Sequence, residues 1–468
     1  MLTEKWADLL NGNRRKSKHE PDRESLGTAA GRMEMERDFD RILFSTPTRR
    51  LADKTQVFPL DKNDSVRTRL THSYEVSNLA RSIGMRLAFE MPEKIFGKDH
   101  DELNVKRSVP ALLAAIGLAH DLGNPPFGHQ GEKAIQDWFK SHNNEVFGQE
   151  SSEDFTNFDG NAQTFRLLTK LQILNDNYGL NLTYGTLAAT LKYPTTWKNI
   201  ERSKFKKAGV FESERSIAED VWQETGLKEN QRHPLTYIME ACDDIAYSIL
   251  DAEDTIKKGY ASFYDLVDYL EHAGADDEIT KKVLKKAREK NTEFKKENLS
   301  PRELNDISMQ MMRVCSISAL INPVVDEFSN SIESILDGGY KDDLIKNSEA
   351  NSFCKALKRF DLELGYKNKS VLELELRGSN YIKSLMTMLW EGIRYHESKD
   401  AFSEYAFQRI SENYRRVFKE AIRENRQARC QIQAQLLADA ISGMTDSYLI
   451  SLHDELKPLY DGSRKIEG

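Results

Sequence analysis

The chain has 468 residues, 39% hydrophobic and 30% charged, which excludes a disordered or fibrous protein and suits a soluble, highly charged, helical one. The length allows about two to three domains, or one large helical body. A net charge of -8, from 67 basic and 75 acidic residues, excludes a protein that coats nucleic acid over its whole surface but leaves room for a local basic groove.

Helical periodicity dominates the chain from start to end, so the fold class is all-α. Residues 1–35 are polar with mixed charge and read as an N-terminal arm rather than a core element. Their start, MLTEKWADLLNGNRRKSKHE, has no apolar signal core. In THSYEVSNLARSIGMRLAF, the residues His72, Val76, Leu79 and Ile83 share one helix face. PALLAAIGLAHDLG follows, with Pro110 near the first turn, Gly123 at the stop and Pro125 beyond it. The apolar run here, VPALLAAIGLA, is shorter than the roughly 20 residues that cross a bilayer, so no membrane partner is expected. HPLTYIMEACDDIAYSILDAEDTIKKG runs from Pro234 to Gly259 with no breaker inside. From there to about Leu456, helical pattern alternates with the connectors KKENLSPRE, LDGGYKDD and NSEANS, and LELELRG suggests one short hairpin. Expected boundaries are 1–35, 36–260 for a catalytic core, and 261–468 for a C-terminal helical region. Cys242, Cys315, Cys354 and Cys430 are scattered with no CxxC spacing, which reads as reduced thiols in a cytoplasmic setting.

Three of these helices carry side chains that suit a metal ion. His72 heads the first stripe, His120 and Asp121 are adjacent in the last turn before a glycine, and EACDDIAY supplies an aspartate. Imidazole with carboxylate is the mixed donor set of divalent transition metals or magnesium. Each residue alone has a plainer reading, such as a satisfied core histidine or a helix carboxylate paired with an arginine. Their joint occurrence on three inward-facing helices outweighs those readings. Asp243, Tyr247 and Asp251 follow at i, i+4 and i+8, on one face. His129 and Glu132 stand at i, i+3 past the Gly-Asn-Pro-Pro turn, a spacing that lets the carboxylate orient the imidazole and raise its pKa. Arg67 and Arg69 precede His72, Lys192 sits in LKYP, and Lys206 and Lys207 in FKKAG. Lys206 by itself reads as a solvated lysine. A metal with several cations suits a polyphosphate, whose oxygens need neutralising as charge shifts in the transition state.

Together THSYEV, AHDLGNPPFGHQGE and EACDDIAY resemble the HD-domain phosphohydrolases. STPTRRLADKTQVFPL, FDGNAQTFRLL, LAATLKYP and ISGMTDSY narrow the likeness to the bacterial deoxyguanosinetriphosphate triphosphohydrolase (dGTPase) family, from about Phe39 to about Leu449. The resemblance implies an HD-domain helical fold with additional C-terminal helices that complete the nucleotide pocket and oligomer contacts. It implies one divalent metal ion per site, Mn2+ or Mg2+ first and Fe2+, Co2+ or Ni2+ also accepted, held by His72, His120, Asp121 and Asp243. Asp243 is chosen over Asp244 because the family's tyrosine lies four residues after the ligand, as Tyr247 does. His129 and Glu132 match the catalytic pair, with His129 either giving a proton to the leaving group or positioning the attacking water. Tyr247 would pack on the sugar, and Gln56 and Asp251 would hold the 3′-hydroxyl. Asn161, Lys192, Tyr193, Lys207 and Arg69 match phosphate contacts, and Glu375 an acidic position near the base. The family's C-terminal substrate arginines have no match around EYAFQRISENYRR, where Arg409 and Arg415 stand unassigned. The implied reaction turns a deoxynucleoside triphosphate (dNTP), dGTP first, into deoxynucleoside and inorganic triphosphate. A dNTP or single-stranded DNA effector and a homo-hexamer or tetramer belong to the same expectation. The alternatives are an HD phosphohydrolase for other nucleotides, or a nucleotide-sensing or single-stranded-DNA-binding regulator.

Overall fold

The computed structural model describes residues 2–20, 31–60, 63, 65–149, 152–172, 177–274, 276–398 and 400–466. Among the described residues every regular element is a helix, and strand-like pairing is confined to two isolated bridges, Arg14 with Thr183 and Thr55 with Thr68. Among the described residues no helix is long and apolar enough to cross a membrane.

The first helix, α1 (Leu2–Leu9), corrects the expectation of a peripheral arm. Trp6 is wholly buried, donates its indole N–H to the Ile95 carbonyl at 2.7 Å, and meets the Phe96 ring edge-on at 4.8 Å. Leu9 and Leu10 are buried with it. The apolar stripe is a single turn wide, too short to stand out against the polar residues around it. Arg14 fastens the segment that follows by ion pairs to Glu34 at 2.8 Å and Asp38 at 2.7 Å.

Two helices set the frame of the site, α2 (Arg69–Glu90) and α3 (Val105–Ala119). They pack antiparallel, because Gly84 lies against Pro110 and Gly117 against Ser77. A Cβ on Gly117 would stand 2.8 Å from the Ser77 Cα, so only glycine permits this approach. The Ser77 hydroxyl donates to the Ala114 carbonyl at 2.8 Å across the contact. The start of α2 is thereby brought beside the end of α3, and His72 beside His120. Helix α3 begins at Val105, which places Pro110 in its second turn, and it ends at Ala119, short of Gly123.

Next come α4 (Gly128–Ser141), α5 (Gly160–Arg166), α6 (Tyr184–Thr190) and the central α7 (Pro234–Lys257). Helix α7 starts on a proline, where no backbone N–H is needed, and is buried along nearly its whole length. It packs on α2 and α3 and also on α8 (Pro301–Asn330) and α9 (Asn351–Phe360). A π-helical stretch, Asp361–Tyr366, continues α9. Helix α10 (Lys369–Tyr395) then runs straight through LELELRG, where a hairpin was expected. The strict alternation there is local. Leu372 and Leu376 are 49% and 64% exposed, so no sheet face is being buried, and the helix propensity of Leu, Glu and Arg prevails. Helices α11 (Arg429–Ser442) and α12 (Asp446–Ile466) close the chain, and α10 packs on both and on α4. One apolar cluster extends from Trp6 to Leu456, on both sides of residue 260.

Replacing Trp6 by alanine is expected to lower unfolding stability by about 3–5 kcal/mol, the range for a deleted core aromatic. Urea unfolding measures it, and a change within about 0.5 kcal/mol, typical of surface positions, contradicts the core role.

Candidate active site

His72, near the start of α2, and His120, just past the end of α3, face Asp243 of α7. His72 Nε2 lies 3.1 Å from Asp243 Oδ1, and His120 Nε2 lies 3.5 Å from the same oxygen. The three residues offer one ligand atom each, all within 4.8 Å of one another. His120 Nδ1 sits 2.7 Å from the Gly117 carbonyl, which accepts its proton and turns Nε2 toward the cluster. That buried Nε2 has no hydrogen-bond partner among the described residues. An orphaned imidazole nitrogen aimed at a carboxylate, with a second imidazole alongside, is a donor set that fits a divalent cation.

Asp121 stands at the edge of this cluster. Its Oδ1 is 3.6 Å from His120 Nε2 and accepts from the Asn124 side chain at 2.6 Å, while its Oδ2 is engaged by Arg69. The adjacent Asp244 is drawn away by Lys358, at 2.5 Å, which separates it from Asp243. Burial works against a charge on His120, but the carboxylates of Asp121 and Asp243 outweigh it and push its pKa up to about 9. Burial likewise resists ionisation of Asp121, and the Arg69 charge, then His120, overcomes it and brings the carboxyl to about 2. The field in the cluster therefore favours positive charge at its centre.

His129 lies in the first turn of α4, with Nδ1 3.1 Å from Glu132 Oε2. The other Glu132 oxygen accepts from the Gly160 backbone N–H at 2.8 Å. Glu132 is buried, while the His129 side chain is 79% exposed toward the cavity. The Glu132 hydrogen bond raises the His129 pKa, against a smaller opposing effect of burial. Left-handed backbone at Phe127 (φ 60°) and Gly128 (φ 56°) turns the chain sharply into α4 and aims His129 inward. Gly160 closes the frame, since a Cβ there would stand 2.1 Å from the Asn124 side-chain oxygen.

Both groups open onto one cavity of about 500 Å³. Every sequence-predicted site residue except Asp251 lines it. Arg69, Lys192 and Lys207 bring positive charge, with Asn161 and Tyr193 among them. Lys207 is steadied by Asp159 at 2.7 Å and Lys192 by Glu240 at 3.4 Å. Asp159 also accepts from Asn161 N at 2.8 Å and from Asn161 Nδ2 at 2.7 Å. Gln56 lines the cavity with its side-chain oxygen buried and unpartnered, and burial raises the pKa of Glu375.

Asp251 lies beneath the surface, 1% exposed, and accepts the hydroxyl proton of Tyr366. Tyr366 stacks on Tyr247 with centroids 6.1 Å apart. It lines the cavity together with Leu362, Lys367 and Leu372. Sequence reasoning missed all four. They come from the π-helical stretch, the residue after it and the start of α10, where no charge pairing marked them. Arg67, one of the basic residues that precede His72, is instead held by Glu75, Glu253 and Asp254. Lys206 is exposed and stands outside the lining. Arg409 pairs with Glu455, Arg415 binds the Ile410 carbonyl, and neither lines the cavity.

Two expectations follow. Asp243→Ala should lose bound divalent metal by elemental analysis, and unchanged metal content would remove Asp243 from the donor set. The His129 imidazole should titrate above its ordinary value of about 6.5, so its contact with Glu132 is strongest below that pH and fades as pH rises through the folded value. In Glu132→Gln the midpoint should fall back toward about 6.5 in an NMR titration. An unmoved midpoint would show that Glu132 does not govern it.

Residues 69–178 match the HD domain family, a span that includes His72, His120, Asp121, His129, Glu132 and Asn161. The chain is 36% identical to a deoxyguanosinetriphosphate triphosphohydrolase-like protein of Listeria monocytogenes, over 97% of this chain and 100% of that protein. A protein of the same name from Synechocystis is 30% identical over 90% of this chain and 93% of its own length. A deoxyguanosinetriphosphate triphosphohydrolase of Yersinia pestis is 30% identical over 91% of this chain and 93% of its own length. The HD match holds both imidazoles of the cluster and the likeness runs over nearly the whole length, so the chain belongs to the deoxyguanosinetriphosphate triphosphohydrolase-like family of HD-domain phosphohydrolases.

Proposed function

We propose that this protein hydrolyses dNTPs, dGTP foremost, to deoxynucleoside and inorganic triphosphate. The observation that carries the reading is a single cavity, large enough for one nucleotide, that gathers a His/Asp donor set, a His–Glu pair and three cationic side chains. The named activity of the Yersinia pestis relative supports dGTP as the first substrate.

His72, His120, Asp121 and Asp243 would hold one divalent ion, Mn2+ or Mg2+ first. When bound, such an ion supplies Lewis-acid polarisation of a phosphoryl oxygen. Water attacks the α-phosphorus and the bond to O5′ breaks. An alkoxide is a poor leaving group and gains from a proton. His129 is suited to give it, because Glu132 engages Nδ1 and raises the pKa, leaving Nε2 to serve the substrate. Arg69, Lys192 and Lys207 neutralise the departing triphosphate, with Asn161 and Tyr193 completing its contacts. Tyr247 packs on the sugar, Gln56 and the Asp251–Tyr366 pair face the 3′-hydroxyl, and Glu375 stands near the base. A homo-oligomer, hexamer or tetramer, a dNTP or single-stranded DNA effector, and a cytoplasmic site of action belong to the same proposal and rest on the sequence resemblance alone.

Product analysis with each dNTP and Mn2+ or Mg2+ tests the reaction. Tripolyphosphate and deoxynucleoside are expected, and orthophosphate in their place would point to a different HD phosphohydrolase. His129→Ala should lower kcat by roughly 10²–10⁴-fold, the usual contribution of a general acid. A loss of less than about threefold is far below that range and would end the proton-donor role.

A further inference from the structure

The junction between α11 and α12, near the C-terminal end of the described chain, reaches into the frame of the site. Asp446, the first residue of α12, is 2% exposed. One carboxylate oxygen accepts from the Thr55 backbone N–H at 2.9 Å and also from the Thr55 hydroxyl. The other accepts from the Phe127 backbone N–H at 3.1 Å. Alongside, the buried Lys54 ammonium donates to the Ser442 carbonyl at 2.8 Å and to the Asn124 carbonyl at 2.6 Å. One short junction thus ties down the residues just before Gln56 and the turn just before His129.

Both segments lie at the ends of helices, not inside one. Thr55 has one isolated bridge, to Thr68. Phe127 keeps a left-handed φ of 60°, a conformation that a bulky residue retains only where its surroundings over-determine it. Its ring lies against α10, where a Cβ on Gly378 would stand 2.6 Å from it. Three donors converge on the two Asp446 oxygens, a demand that a carboxylate meets. An asparagine offers one oxygen and turns an N–H₂ group toward a donor.

We infer that Asp446 is a positioning residue that fixes Gln56 and the His129 turn relative to each other, so that sugar binding and proton transfer share one anchor. The kinetic part rests on the roles proposed above for Gln56 and His129. Asp446→Asn in the full-length protein should raise KM for dGTP and lower kcat by about 10- to 10²-fold, the scale of a misplaced catalytic group. Thr55→Val removes only the hydroxyl leg on the Gln56 side, and should raise KM by a larger factor than it lowers kcat. Hydrogen exchange should show residues 54–57 and the Phe127 amide losing protection together in Asp446→Asn, with α8 unchanged. Unaltered kcat and KM, or retained protection at Phe127, overturns the inference. If Asp446→Asn fails to fold, Thr55→Val decides, and an unchanged KM there counts against it. If the wild-type protein releases no tripolyphosphate from any dNTP, the proposed reaction fails separately. Exchange then decides the anchor alone: joint loss of protection upholds it and retained protection overturns it.

Discussion

Two carboxylates, Asp121 and Asp243, are brought within reach of the same imidazole in the protein interior. A low-dielectric site holds such a pair only if positive charge is supplied to it. Arg69 from the start of α2 and His120 from the end of α3 supply it, and they converge because Gly117 lets the two helices touch backbone to backbone. The antiparallel crossing then fixes where α4 must begin, and with it where His129 stands. The chemistry of the cavity and the packing of its walls are therefore one constraint.

Much of this was legible in the chain because it is local. His120 and Asp121 are adjacent, His129 and Glu132 are one turn apart, and His72 heads its own apolar stripe. Asn124, which had no role by sequence, supplies two contacts: its amide steadies Asp121 and its carbonyl receives Lys54. The choice between Asp243 and Asp244 was not legible from helical spacing. Neighbours on a helix point about 100° apart, and only the tertiary partner of Asp244, Lys358, separates them.

Other features were hidden for related reasons. Tyr366 belongs to a π-helical stretch with no repeat to betray it. Asp251 shares a helix face with Asp243, as the spacing indicated, yet Tyr366 covers it, and a covering residue from another element leaves no trace in the pattern. LELELRG alternates like a strand, but its leucines four apart also stack on one side of a helix, and no second strand was there to choose between the two. Trp6 was masked by its charged neighbours.

The placement of Trp6 bears on how the molecule is assembled during synthesis. Its partners are Ile95 and Phe96, and the neighbouring Leu9 carbonyl is met by the ring of His233 at 3.0 Å. A chain that leaves the ribosome N-terminus first must keep this indole unsatisfied until those later segments emerge. Contacts of such long sequence separation form slowly, since their loop entropy is lost before they reward it. Helix α1 is made before its partners and docks late, and until then it is an apolar surface that nascent-chain chaperones would have reason to cover.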